Sequence, residues 1–392
     1  MKRRPDIPLL AAVLTLTGFG LLVIYSAGGT RYLLRQLLFI PVAVAAMAAG
    51  YSIPRRAIRD FAMPIYVGFI VLLGLVLFLG SGVGSNRWFV LGPVAFQPSE
   101  FAKLAVVILL ARHLAGQNEL RFGFRSLAVP VLICFLPATL MLLEPDLSSA
   151  GALLAVLAVL LYYQGFRPLH LLLLFTPLLS FATGFLIWTW LPFFLVLVLV
   201  VYRKAGFVRA LIAGAVSAAF GLLSPASLSL LRGYQRDRVV SFLAPWIDPH
   251  GVGWSAIQSR IAIGSGRLFG KGLCQGTQNR LGFLRNRHTD FVFSCIGEEF
   301  GFFGSLLVVA AFALVLWRTL SIARRSRDQF SALVCAGCAA IIGYKFLVNV
   351  GMLLGLLPIT GVALPFISYG GSSLVMNFLL VGLVLNCSAK PE

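Results

Sequence analysis

Charged side chains are scarce in this sequence, at 11% of residues. Acidic ones are scarcest, 13 Asp and Glu against 32 Lys and Arg. So little charge across 392 residues leaves no room for a sizeable soluble domain. The net charge of +19 invites a nucleic-acid reading. The basic residues form no single patch, however. They punctuate apolar runs, which argues for a membrane and against nucleic acid as partner. Cysteine is equally thin. Cys134, Cys295, Cys335, Cys338 and Cys387 fall within or at the ends of apolar runs, where a small buried residue is the ordinary reading. Cys274 alone lies in the long polar segment, which excludes a loop disulfide within the chain. Cys335 and Cys338 have zinc-like spacing but no neighbouring His or second Cys pair, so no metal site is expected there.

What is abundant is apolar length. Hydrophobic residues make up 59% of the chain. Runs of roughly 20 residues, the length that crosses a bilayer as a helix, recur from end to end. The candidate spans are roughly 8–26, 33–50, 61–80, 98–115, 127–143, 148–164, 168–187, 188–202, 208–223, 291–317, 331–354 and 364–387. The division near Trp188–Pro192 is the weakest, since two short spans there also read as one re-entrant hairpin. Leu9–Tyr25 follows Lys2, Arg3 and Arg4 in the manner of a signal peptide, but it lacks a small-x-small cleavage site and reads as a retained first helix. The expected fold is therefore an all-α polytopic membrane protein, one integral domain over residues 1–392 with about twelve transmembrane helices.

Charge in the connections sets the sidedness. With a cytoplasmic N-terminus, alternate loops are basic: Arg55, Arg56 and Arg59; Arg112, Arg121 and Arg125; Arg167; Arg203, Lys204 and Arg209; then Arg318, Arg324, Arg325 and Arg327. The short loops opposite carry only Arg31 and Arg87. This alternation predicts an even number of spans with both termini cytoplasmic. The long segment 224–290 then falls outside, yet carries Arg232, Arg236, Arg238, Arg260, Arg267, Lys271, Arg280, Arg285 and Arg287. Long loops escape the charge rule. Two readings account for the basicity: anionic lipid headgroups, or an anionic substrate such as a pyrophosphate held at the outer surface. Gly264, Gly266, Gly270 and Gly272 in the same segment suit tight turns or close backbone approach.

Polar residues within the spans are few and so stand out. Glu100 and Lys103, three apart, share a helix face, as do Lys345 and Asn349, four apart. Glu298 and Glu299 follow Asp290 by about two turns, and Glu144 and Asp146 flank Pro145. Each alone reads as a paired or snorkelling side chain that orders the bundle. Together they suit a polar cavity opening outward. Asp290 ends the long polar segment just before an apolar span. Spacing alone leaves it equally a helix N-cap and a functional carboxylate.

Four segments resemble a known family: NRWFVLGPVAFQPSEFAKL (86–104), EPDLSSAG (144–151), the stretch from GYQRDRVVSFLAPWIDPHGVGWSAIQSRIAIGSG to HTDFVFSCIGEEFGFFG (233–304), and LLPITGVALPFISYGGSSL (356–374). They look like the SEDS proteins of shape, elongation, division and sporulation. GTQNRLGF (276–283) and PITGVALPFISYGG (358–371) resemble the RodA branch more than the FtsW branch. The resemblance implies a peptidoglycan glycosyltransferase of the bacterial cytoplasmic membrane, polymerising lipid II into glycan outside the cell during elongation and shape maintenance. It also implies a class B penicillin-binding protein as partner. The family's catalytic aspartate matches Asp290, and its QPSE-x-x-K glutamate and lysine match Glu100 and Lys103. Two departures stand out. The usual Leu-Pro-Glu before Arg-His-Thr-Asp is Leu284-Arg285-Asn286 here, and residues 168–202 read as a helical pair added to a ten-span core.

The implied reaction transfers an α-linked glycan from pyrophosphate to a sugar 4-hydroxyl with inversion. It requires one base and stabilisation of the departing pyrophosphate. Asp290 is the candidate base, at the edge of a low-dielectric span where its pKa rises unless a cation compensates. Lys103 orients or tunes it, with Glu100 neutralising the lysine. Arg87, Arg232, Arg236, Arg238, Lys271, His288 and Asn349 are the substrate-binding candidates. A divalent cation, Mg or Mn, bridging Asp290 and pyrophosphate is compatible with this chemistry, although no ligand cluster establishes it. Two rivals stay open: a flippase or transporter of a lipid-linked precursor, with the same cavity and charges, and a non-enzymatic scaffold that activates a penicillin-binding protein.

Overall fold

In hydrocarbon every backbone N–H and C=O must find a partner within the protein, so long apolar runs become helices. The computed structural model describes residues 6–81, 87–92, 94–117, 124–227, 233–244, 246, 253–284 and 286–388. Helices α1 (Ile7–Gly28), α2 (Thr30–Ser52), α3 (Arg55–Asp60) and α4 (Ala62–Leu79) come first. A hairpin follows, β1 (Phe89–Leu91) and β2 (Val94–Phe96), leading into α5 (Pro98–Ala115), α6 (Phe124–Leu143) and α7 (Leu147–Tyr163). Next are α8 (Pro168–Thr183), α9 (Ile187–Ala205) and α10 (Phe207–Ser227), then the short α11 (Gly233–Leu243), α12 (Trp254–Ser265) and α13 (Thr277–Arg280). The chain closes with α14 (Val292–Arg325), α15 (Gln329–Leu353) and α16 (Gly371–Ser388).

Among the described residues, nine helices are long and apolar enough to cross a membrane, and the protein is a multi-pass membrane protein. Each of the twelve apolar runs in the sequence overlaps a helix, the last of them (364–387) only from Gly371 on; the three beyond the nine are α5, α7 and α8. Helices α7 and α8 have 17 and 16 residues, and α5 carries Glu100, Lys103 and Arg112. Among the described residues, the one pair of strands is the antiparallel hairpin, in register Phe89↔Phe96, Val90↔Ala95 and Leu91↔Val94. Aromatic and β-branched residues on either side of a Gly92 turn account for it.

Helix α15 lies at the centre, with 83% of its most apolar window buried, against 11% for α9 at the periphery. Helices α5, α7, α14 and α16 pack around α15, and α2 lies along α16. Helices α8, α9 and α10 form a three-helix unit with its own small core of Leu197, Val201, Ala210 and Ala213. Small residues let α8 and α10 approach closely. Ser180 and Ser217 hydroxyls bond at 2.8 Å, and a side chain on Gly184 would collide with the Gly221 carbonyl.

Helix α14 breaks at Gly301, whose backbone is non-helical (φ 66°, ψ −157°). The groups freed by the break are satisfied by the glycine-rich segment. Lys271 N donates to the Glu298 carbonyl at 3.0 Å and Gly272 N to the Glu299 carbonyl at 2.9 Å. In return Phe302 N donates to the Arg267 carbonyl at 2.8 Å and Phe303 N to the Leu268 carbonyl at 3.1 Å. A Cβ on Gly266 would stand 1.9 Å from the Gly297 carbonyl oxygen. Gly266 and Gly270 thus serve close backbone approach, while Gly270 and Gly272, at φ 79° and 99°, also serve the left-handed backbone that glycine favours.

Candidate active site

A cavity of about 360 Å³ opens at the end of the bundle where α5, α7, α14 and α16 begin. That volume lies in the range of small-ligand sites, roughly 300–1,000 Å³. Six Asp, Glu, Lys and Arg side chains line it: Arg87, Glu100, Lys103, Asp146, Asp290 and Lys345.

Glu100 sits in the first turn of α5, where the helix dipole favours a carboxylate. Its Oε1 accepts from Lys103 Nζ at 2.7 Å, one turn along the same face. Its Oε2 accepts from Lys345 Nζ on α15, so one carboxylate holds two buried ammonium groups. Asp146 caps α7: its Oδ1 accepts from Ser149 N at 3.1 Å and Ser148 Oγ at 2.8 Å. Its Oδ2 accepts from Ser99 Oγ at 3.1 Å and Gln97 Nε2 at 3.4 Å, tying α7 to the start of α5. Arg87 donates from Nε to the Glu144 carbonyl at 2.7 Å and from Nη2 to the Pro145 carbonyl, bracing the α6–α7 turn.

Asp290 lies two residues before α14 in a turn organised by Asn286. The Asn286 carbonyl accepts from Thr289 N, Asp290 N and Phe291 N at 3.0, 3.1 and 3.4 Å. Asn286 has φ 52°, a left-handed conformation that asparagine tolerates better than most residues. The departure from Leu-Pro-Glu therefore supplies a residue suited to this turn. Burial raises the Asp290 carboxyl to about 6, against the opposing pull of a Thr289 hydrogen bond and the Arg238 charge. The residue is half-buried, and its remaining surface opens on the cavity.

The segment between α15 and α16 is stitched to this turn. Asn349 Nδ2 donates to the Asp290 carbonyl at 3.0 Å and the Val362 carbonyl at 2.6 Å. Ser368 Oγ donates to the Thr289 carbonyl at 2.6 Å, and Tyr369 N to the His288 carbonyl at 2.9 Å. Gly361, at φ 75°, passes so close that a Cβ there would stand 3.3 Å from Asp290 Oδ2.

The structure thus brings Asp290, Glu100, Lys103 and Arg87 to one cavity, together with Asp146 and Lys345, which the sequence groups with a polar cavity but gives no catalytic or binding role. The other binding candidates stand elsewhere. Arg238 on α11 donates to the Thr360 carbonyl at 3.2 Å and acts on Asp290 through its charge. Arg236 on the same helix is exposed and lines no part of the cavity. Lys271 bonds to Glu298 Oε1 and Thr277 Oγ1, each at 2.8 Å, beside the α14 break. The His288 ring packs on Tyr32 at 4.1 Å and Tyr369 at 5.6 Å between centroids. Burial, and then the Arg287 charge, push its imidazole below the usual range, which favours the neutral ring. The Asn349 amide is buried against backbone rather than facing the cavity. Arg232 and Arg285 lie outside the described residues. No group of three or more metal-ligating side chains occurs among the described residues, so a divalent cation at Asp290 would draw most of its ligands from substrate oxygens and water.

The chain matches the family model described as cell cycle protein, FtsW/RodA/SpoVE, over residues 8–191 and 188–392. It is 34% identical over 425 residues to the peptidoglycan glycosyltransferase RodA of Treponema pallidum, covering 98% of both chains. It is 32% identical over 401 residues to stage V sporulation protein E of Bacillus subtilis, covering 99% of this chain and 98% of the other. Among solved structures it resembles a chain of a peptidoglycan synthase complex that coordinates polymerization and crosslinking. The TM-score is 0.74 and the identity 29%, with 97% and 96% of the two chains covered. It also resembles the rod shape determining protein RodA of Thermus thermophilus, with a TM-score of 0.66, 28% identity and the same coverage. By sequence, fold and the disposition of its motifs, the chain belongs to the FtsW/RodA/SpoVE family of cell cycle proteins.

Proposed function

We propose that this protein is a peptidoglycan glycosyltransferase that polymerises lipid II on the outer face of the bacterial cytoplasmic membrane, in the elongation branch of its family. The observation that carries the reading is the cavity itself. A carboxylate poised near pH 6 shares it with two lysines held on one buried glutamate. Relatives named as peptidoglycan glycosyltransferases support the reaction class.

In this reading the acceptor 4-hydroxyl docks beside Asp290. As its oxygen attacks C1 of the donor, the new O4–C1 bond forms on the face opposite the breaking bond to the lipid diphosphate. The hydroxyl proton passes to Asp290, and from there to solvent. A base with a pKa near 6 is largely ionised at neutral pH yet basic enough to take the proton in the transition state. Lys103, fixed by Glu100, supplies positive charge to the departing diphosphate, and Arg238 biases Asp290 toward its ionised form. Asn349 acts as a positioning residue through the backbone of Asp290.

Basic alternate loops support cytoplasmic termini and an external cavity, with about twelve spans. On this topology α8 and α9 are an added pair whose removal leaves the sidedness of α14–α16 unchanged. The similarity to a chain of a polymerizing and crosslinking complex supports a class B penicillin-binding protein as partner. The decisive experiment is purified protein with lipid II, read as glycan polymer on a gel. Wild type should yield polymer and Asp290→Asn none, with folding and partner binding intact. Polymer from Asp290→Asn would remove Asp290 as the base, and lipid movement across liposomes without polymer would favour a flippase.

A further inference from the structure

Lys345 is a cation of the cavity that, unlike Arg87, braces no backbone turn. It stands on the central helix α15, 3% exposed, and its ammonium bonds to Glu100 Oε2 while Lys103 takes Oε1. The trio carries two positive charges against one negative charge. A buried net charge of this kind is costly unless a counter-charge lies close. Asp146, within electrostatic reach of Lys345, offsets part of that charge, but its oxygens accept from Gln97, Ser99, Ser148 and the Ser149 amide and bond to neither lysine.

Donor capacity points the same way. An ammonium offers three N–H groups. Among the described residues, Glu100 is the one hydrogen-bond partner of each lysine, which leaves two N–H groups on each without a protein acceptor. Both lysines line the cavity that Asp290 also lines. Four unfilled donors on two tethered cations match a ligand that is dense in anionic oxygen and delivered to the mouth of the same cavity.

We propose that Lys345 and Lys103, spaced by their shared glutamate, form a binding site for the diphosphate of a polyprenyl-linked substrate, with Lys345 a substrate-contacting cation. This assignment rests on the glycosyl-transfer reading above and deepens it. Glu100 serves as a spacer: it holds two like charges side by side in the ground state, ready for a divalent anion that bridges both. When the donor bond breaks, the charge arriving on the diphosphate develops between the two ammonium groups, where preformed donors stabilise it most. No covalent bond forms to either lysine.

The test separates binding from chemistry. Detergent-solubilised full-length protein is titrated with undecaprenyl diphosphate, undecaprenyl monophosphate and inorganic pyrophosphate. The same titrations are run on Lys345→Met, Lys345→Arg and Glu100→Gln. Lys345→Met leaves a neutral Glu100–Lys103 pair, so its thermal unfolding should stay near that of wild type. Its affinity for undecaprenyl diphosphate should fall tenfold or more, and that for the monophosphate by less. Lys345→Arg should recover most of the loss. Glu100→Gln removes the spacer between two buried cations, so it should lower both thermal stability and diphosphate affinity, whereas Lys345→Met should lower affinity alone. Pyrophosphate competing with the lipid in wild type but not in Lys345→Met would locate recognition in the headgroup; competition by a polyprenyl alcohol alone would overturn the assignment. An unchanged affinity in Lys345→Met overturns it too. So does a loss of affinity in Lys345→Met that comes with a loss of thermal stability as large as that of Glu100→Gln, which marks a purely structural triad. Lys345-dependent binding without polymer from lipid II would sink the polymerase reading and spare this one. Polymer from wild type with Lys345-independent binding would do the reverse.

Discussion

The Asn349 amide holds the Asp290 carbonyl at 3.0 Å and, with the same nitrogen, the Val362 carbonyl at 2.6 Å. One buried side chain on α15 therefore fixes the turn that carries the carboxylate against the segment that closes the cavity. Asn349→Leu strands both carbonyls, at about 1–3 kcal/mol for each buried group left unpaired. Such a variant should unfold at a lower temperature, and its kcat should fall at least tenfold with KM little changed, because the base is displaced rather than the binding surface. A loss of stability with kcat intact would reduce Asn349 to packing.

Gly361 offers a more local probe of the same geometry. Its φ of 75° disfavours any side chain, at roughly 1–2 kcal/mol, and an added Cβ would stand 3.3 Å from Asp290 Oδ2. Gly361→Ala should fold and bind lipid II but turn over at least tenfold more slowly, since small misplacements of a reacting group are expensive. Polymerisation at the wild-type rate would show that the carboxylate tolerates the crowding.

How much of this site the sequence discloses depends on the range of the interaction. Asp290 is visible because a lone carboxylate at a polar-to-apolar junction is costly, and Glu100 with Lys103 because a three-residue spacing puts them on one helix face. Lys345 is 245 positions from the Glu100 that binds it, and no local period encodes that pairing. The same limit explains Asp146, whose partners Gln97 and Ser99 lie at the start of another helix. Asn349 shares a face with Lys345, yet it reaches backbone rather than the cavity, a distinction that spacing does not carry. The basic segment is legible as charge only. Lys271 belongs to Glu298 at the α14 break, and its glycines serve the same break.

Asp290 gives opposite pH signatures in activity and in stability. With its carboxyl near 6, kcat/KM should rise about tenfold per pH unit below 6 and level off above, as the base ionises. Between 3.8 and about 6 the folded protein keeps a proton that the unfolded chain has lost, so stability falls as pH rises through that window. Asp290→Asn removes this loss. It should unfold at a higher temperature than wild type at pH 7.5, by no more than about 3 kcal/mol for a shift of this size, and identically at pH 3.5. An inactive variant that is also less stable at pH 7.5 would contradict the desolvated carboxylate.

Glu144 provides a second, independent carboxyl at the same end of the bundle. Both of its oxygens are buried with no hydrogen-bond partner among the described residues. Burial and the neighbouring Asp146 charge push it up to about 8, only partly offset by Arg87, whose Nε and Nη2 are occupied by the Glu144 and Pro145 carbonyls. At neutral pH the side chain is therefore mostly protonated. Its folded value lies above its unfolded value of 4.5, so its contribution to stability is constant below 4.5 and declines as pH rises toward 8. Glu144→Gln reproduces the neutral shape and has no proton to lose. Melting curves of the two proteins should coincide near pH 4 and separate steadily above pH 5, with the glutamine variant the more stable by several degrees at pH 9. The converse order at pH 9 would mean that Glu144 is held ionised, with Arg87 as a true ion-pair partner rather than a brace for the α6–α7 turn.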